Sequence, residues 1–184
     1  ELGIDFLSAS AHKFHGPKGV GFLYASSTGF DSYLHGGDQE QKKRAGTENL
    51  AAIVGMVAAL KEDLNNQAKH YQKLSALKSA FLEEIAGLNY YLNESNHQLP
   101  YVVNIGFPGQ KNDLLLLRLD LEGISISTGS ACTAGIVQTS HVLEAFYGPD
   151  SHRLKESVRI SLSPLNTEEE LKQLAQTLKN IIGD

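Results

Sequence analysis

Hydrophobic positions recur along the chain with two different periods. From Leu50 through Ile53, Val57, Leu60, Leu64, Tyr71, Leu74, Leu77 and Phe81 to Ile85 the steps are mostly three and four. That spacing lines up one face of a helix. The pattern predicts one helix running to near Gly87, with Thr47 as its N-cap. A helix longer than ~25 residues without an internal breaker reads as a bridge between two compact regions. Ahead of it, residues 4–10 and Val20 to Tyr24 read as strands around the turn-rich Lys13-Phe14-His15-Gly16-Pro17-Lys18-Gly19. The first of these strands is expected to be buried. Beyond the bridge, strand and helix alternate. Tyr101 to Phe107, Ile124 to Ser127 and Ser157 to Leu162 read as strands. Helices are expected from Asn112 to Glu122 (closed by Gly123), from Ser140 to Tyr147 (stopped by Gly148), and after Thr167. Thr167 and Glu170 form a capping-box pattern, followed by Leu171, Leu174, Leu178 and Ile181 on one face. The fold class is α/β, with residues 1–50 before the bridge, 51–87 as the bridge, and 88–184 as a small α/β (α+β) domain.

Composition narrows this picture. With 41% hydrophobic and 20% charged residues the chain is ordinary globular material. A net charge of -5 offers no basic footprint for nucleic acid. No apolar run approaches the ~18 residues that a membrane span needs. The single cysteine, Cys132, excludes an intrachain disulfide and a multi-cysteine metal site, so no metal is expected. One reduced thiol suits a cytoplasmic protein. The chain starts at Glu1 and runs at once into Ile4-Asp5-Phe6-Leu7, which reads as part of a longer polypeptide.

Four segments carry candidate chemistry. In Ser10-Ala11-His12-Lys13, a lysine at the end of a buried strand is desolvated, which frees its amine for imine formation. Ser10 and His12 stand where they can hydrogen-bond an anion; the ordinary alternative is a solvated polar loop. In Gly36-Gly37-Asp38-Gln39-Glu40 through Gly46-Thr47-Glu48-Asn49, glycines and the Thr47 hydroxyl at a helix N-terminus suit a phosphate. A flexible loop before a capped helix would look the same. In Thr128-Gly129-Ser130-Ala131-Cys132-Thr133, the cysteine has only small and hydroxyl neighbours, so it is expected on an exposed, mobile loop from Thr128 to Val137. It is either a nucleophile or an incidental surface thiol. In Ser157-Val158-Arg159-Ile160-Ser161, an arginine between inward-facing Val158 and Ile160 binds a carboxylate if buried, and faces water on an edge strand.

In this order and spacing, the four segments resemble the NifS/IscS-type cysteine desulfurases, on the class V aminotransferase, fold-type I scaffold of pyridoxal 5'-phosphate (PLP) enzymes. The resemblance covers essentially the whole chain and rests on Ser10, His12-Lys13, Gly16-Pro17-Lys18-Gly19, Gly46-Thr47-Glu48-Asn49, Ser130-Ala131-Cys132-Thr133 and Arg159-Ile160-Ser161. It implies the tail of a large PLP-binding domain, a long bridging helix and a small C-terminal domain. It implies that Lys13 bonds the PLP cofactor and serves as general base, with Lys18 a turn residue. Ser10 and His12 would hold the cofactor phosphate, and Thr47 would reach that of the partner subunit's cofactor in a homodimer. Arg159 would clamp the L-cysteine carboxylate, and Cys132 would accept sulfur as a persulfide. The Ser-Ala-Cys form resembles group I enzymes, which pass sulfur to an acceptor such as an iron–sulfur scaffold or a tRNA-thiolation enzyme. Asp38, Lys42, Lys43 and Ser163-Pro164-Leu165-Asn166 depart from the common family pattern. The family's residues that stack on and pair with the pyridine ring fall upstream of Glu1, so the 184-residue chain by itself is expected to hold PLP poorly. A selenocysteine lyase-like PLP enzyme and a non-catalytic sulfur-relay or assembly module stand as alternatives.

Overall fold

The computed structural model describes residues 3–27, 29–95, 97–129 and 139–183. The chain divides into two compact units, Glu1–Ala68 and Lys69–Asp184.

In the first unit, β1 (Phe6–Ser10) pairs antiparallel with β2 (Gly21–Ala25), from Phe6 opposite Ala25 to Ser10 opposite Gly21. The expected burial of this strand is not met. β1 has β2 as its one described neighbour, and Phe6 and Leu23 are 53% and 54% exposed. A 3₁₀ turn over Ala11–Phe14 follows β1, and the chain folds back tightly enough for Gly16 N–H to donate to the Ala11 carbonyl at 2.8 Å. A side chain at Gly16 would meet Ala11 Cβ at 2.9 Å, so this return requires glycine. A short turn, α1 (Gln39–Lys42), is left-handed, with φ of 51° at Glu40, 55° at Gln41 and 65° at Lys42. The long helix α2 spans Leu50–Glu84. Thr47 is not its cap. Asn49 Oδ1 accepts from the Ala52 N–H at 3.2 Å, so the capping oxygen is supplied two residues later, directly before the first helical turn. Pro17 lies against α2 at Gly55, where a Cβ would come within 2.9 Å of the proline ring, and this contact seats the turn that carries Lys13.

The second unit holds the core. Its sheet has the order β3 (Tyr91–Leu92), β4 (Val102–Gly106), β5 (Ser157–Ser161), all antiparallel. Val103, Ile105, Val158 and Ile160 point to one face, where the end of α2, α3 (Asn112–Leu121) and α6 (Glu168–Ile182) cover them. Phe81, Ile85, Leu115, Leu119 and Leu178 are fully buried there, and each such side chain stabilises by ~1.5–3 kcal/mol relative to exposure. The capping box of α6 forms in both directions: Thr167 Oγ1 accepts from Glu170 N–H, and Glu170 Oε2 accepts from Thr167 N–H. Two short helices, α4 (His141–Tyr147, capped by Ser140) and α5 (Arg153–Glu156), precede β5. The strand expected from Ile124 to Ser127 reduces to a single bridge, Ser127 opposite Arg159, with Ile124 and Ile126 packed against the core instead.

Candidate functional site

Each unit carries part of the chemistry read from the sequence. In the first, the 3₁₀ turn after β1 presents His12 and Lys13, both exposed, next to the exposed Ser10. The Ser10 hydroxyl caps nothing, and among the described residues neither His12 nor Lys13 has a hydrogen-bond or ion-pair partner. The burial expected at Lys13 is not met, since the residue is exposed. Gly46 N–H donates to Gln39 Oε1 at 3.2 Å, which closes the loop leading to the exposed Thr47.

In the second unit, the alternation that buries Val158 and Ile160 turns Arg159 to the opposite face. β5 is not an edge at this point. It pairs with β4 on one side, and on the other Arg159 N–H donates to the Ser127 carbonyl at 2.6 Å while Ser127 N–H returns to the Arg159 carbonyl at 3.1 Å. The edge-strand condition attached to the open-water reading of this arginine is therefore not met. Arg159 lines a cavity of about 340 Å³ together with Asn93, Asn104, Gly129, His141 and Phe146. Its Nε is buried and, among the described residues, has no hydrogen-bond partner. A buried guanidinium N–H left unpaired is costly. A planar carboxylate is the kind of partner that a guanidinium on a cavity wall takes. Cys132 and the expected mobile loop from Thr128 to Val137 lie, apart from Thr128 and Gly129, outside the described residues.

A polar array behind the cavity was invisible to the sequence reading. The Arg153 guanidinium lies between the rings of Tyr91 and Tyr147, 4.2 and 4.4 Å from their centroids. It donates to Asn93 Oδ1 at 2.9 Å. Asn93 Nδ2 donates in turn to Asn104 Oδ1 at 2.9 Å and to Ser157 Oγ at 2.8 Å. The Tyr91 phenol donates to Glu156 Oε2 at 3.3 Å. Burial, reinforced by the Glu156 charge, raises its pKa above the ordinary tyrosine value, so it remains a donor at neutral pH. Only Asn104 left a signal: it alternates with Val103 and Ile105 as Arg159 does with Val158 and Ile160. Asn93 and Arg153 sit in no periodic pattern.

The second unit is thus an antiparallel sheet covered by helices on one face, with a cavity lined in part by Arg159 on the other. Residues 1–174 match the aminotransferase class-V family, and the chain belongs to it. It is 44% identical over 183 residues to IscS 1 of Bacillus subtilis, a match that takes in 97% of this chain and 48% of that protein. It is 41% identical over 186 residues to the cysteine desulfurase IscS of Dictyoglomus turgidum, covering 99% of this chain and 47% of the relative. Among solved structures, a NifS-like protein superposes with a TM-score of 0.87 at 32% identity, covering 100% of this chain and 47% of that one. A NifS-like protein from Rickettsia africae gives 0.86 at 29% identity, covering 100% and 49%. The chain spans about half the length of the curated relatives it matches.

Proposed function

We propose that this chain works as part of a PLP-dependent cysteine desulfurase, converting L-cysteine to L-alanine and leaving the sulfur on Cys132. The observation that carries the reading is Arg159. Arg159 lines a cavity, its Nε is buried with no partner among the described residues, and its backbone holds Ser127, five residues before Cys132. An extended chain covers at most ~3.6 Å per residue, so Cys132 is tethered within about 18 Å of that anchor. Carboxylate clamp and sulfur acceptor thus share one attachment point.

The residues of the first unit fit PLP. An exposed amine, an imidazole and a hydroxyl, none engaged elsewhere among the described residues, are grouped on one tight turn. Lys13 would bond the cofactor, Ser10 and His12 would hold its phosphate, and Thr47 would serve the partner subunit's cofactor in a homodimer. The bound cofactor supplies the electron sink that labilises bonds at the substrate α-carbon. Lys13 Nζ then takes and returns the α-proton. Arg159 orients the substrate through its carboxylate. The Cys132 thiolate attacks the substrate sulfur; the carbon–sulfur bond breaks, its electron pair stays with carbon and is protonated, and Cys132 keeps the sulfur as a persulfide. An acceptor protein, an iron–sulfur scaffold or a tRNA-thiolation enzyme in the cytoplasm, would then take that sulfur.

The test uses the complete, PLP-loaded enzyme that contains this chain. Alanine released from L-cysteine, with a persulfide trapped by alkylation on Cys132 and lost in Cys132→Ser, is the expected result. Release of alanine from L-selenocysteine alone points to the lyase, and no release from either substrate refutes an enzymatic role.

A further inference from the structure

The array behind the cavity fixes the orientation of an amide that nothing in the sequence singled out. A guanidinium has donors only, so the atom of Asn93 that meets Arg153 at 2.9 Å must be the amide oxygen. The Asn93 amino group is then the one turned to Asn104 and Ser157, at 2.9 and 2.8 Å. Asn104 in turn must meet it with its own oxygen, because two amino groups cannot bond each other. What remains of Asn104 is its Nδ2, with two donors that no other described group takes up. Asn104 and Arg159 are direct partners across β4 and β5, so their side chains share a face, and both line the same cavity. Glu94, the carboxylate on its described wall, is neutralised by Lys78 at 2.5 Å. Arg153 itself is locked between two tyrosine rings, which holds the start of the relay rigid.

We infer that Asn104 Nδ2 is a second donor to the substrate carboxylate beside Arg159, and that Arg153 is a positioning residue acting on it through Asn93. This rests on the desulfurase reading above. It assigns the recognition of the α-carboxylate to an amide and a guanidinium side by side on adjacent strands, not to Arg159 alone.

Asn104→Asp separates this role from a structural one. The aspartate keeps the oxygen that accepts from Asn93, so the array behind it survives, while the atom facing the cavity changes from a donor to a negatively charged acceptor. In the PLP-loaded enzyme, KM for L-cysteine should rise at least tenfold with kcat changed less than threefold. L-Cysteinamide, which keeps the amine and thiol but has no carboxylate, should inhibit with a constant within twofold of wild type. Arg153→Met, which removes the fixed donor and lets the Asn93 amide turn, should raise KM in the same direction by a smaller factor. Arg153→Lys should restore part of the loss. If Asn104→Asp moves both constants together, or neither while Arg159→Ala raises KM, the inference is overturned and the desulfurase reading stands. A wild-type enzyme that releases no alanine overturns both.

Discussion

The ring of Tyr91 sits where a side chain at Gly106 would be. A Cβ built on Gly106 falls 2.2 Å from Tyr91 Cζ and 2.4 Å from its Cε2 and hydroxyl. Gly106→Ala is therefore expected to destabilise the second unit even though alanine suits a strand backbone better than glycine. Overpacking of this kind costs ~1–3 kcal/mol, and the backbone gain from replacing glycine offsets ~0.5–1 kcal/mol. Moving the ring also weakens its stacking on Arg153, worth ~0.5–1 kcal/mol. The net loss should be about 1–2 kcal/mol. The chain has no tryptophan, and Tyr71, Tyr90, Tyr91, Tyr101 and Tyr147 of its seven tyrosines lie in the second unit, so tyrosine emission during urea unfolding reports on it. The decisive measurement is a double-mutant cycle. In a Tyr91→Ala background the obstruction is gone, and Gly106→Ala should be neutral or stabilising by ~0.5 kcal/mol, a coupling of at least ~1 kcal/mol. Additivity within ~0.5 kcal/mol would refute the steric account.

Three further outcomes are expected. In the complete enzyme, Lys13→Ala should abolish the visible absorbance of bound PLP while Lys18→Ala keeps it; loss with Lys18→Ala instead would reverse the assignment. Arg159→Ala should lower kcat/KM for L-cysteine at least tenfold, equivalent to ~1.4 kcal/mol, and Arg159→Lys should recover little because a point charge lacks the planar fork; a change within twofold returns Arg159 to a structural role. Hydrogen bonds from Asn166 and then from the Thr167 backbone hold the Glu170 carboxyl below its ordinary pKa, so its contribution to capping α6 is present above the usual glutamate range and is lost as pH falls through the lowered value. Urea unfolding across pH 2–6 should accordingly show the stability gap between wild type and Glu170→Ala closing on the acid side, and a gap independent of pH would contradict that origin.

The long helix, the strands at β4 and β5 and the capped last helix were legible because each repeats its pattern over several residues or carries a cap. Thr47 was misread as a cap because a hydroxyl and the later Asn49 amide both satisfy the same local rule; only geometry tells which oxygen meets the first turn. β3 and α5, of two and four residues, are too short to show any period. The exposure of Lys13 was not legible, since burial of β1 depends on neighbours that the local pattern does not encode. Arg159 could be read down to two options that turned on its strand being an edge, and the bridge from Ser127, which makes β5 a middle strand, forms only when distant segments meet. The relay from Arg153 through Asn93 to Asn104 joins residues 60 and 11 positions apart in sequence, and polar side chains so separated leave no trace until the sheet assembles.

The two backbone bonds between Ser127 and Arg159 have a consequence for how such a domain can diversify. On the far side of Cys132, Ser140 is fixed as well, its hydroxyl accepting from the Leu143 N–H at 3.3 Å. The chain between those posts is bracketed at both ends by contacts that owe nothing to its own sequence. Lengthening it costs only loop-closure entropy, about 0.6 kcal/mol for each doubling, and leaves the arginine and the sheet in place. Insertions between Gly129 and Ser140 would thus leave the pairing of Ser127 with Arg159 and the cap of α4 as they are.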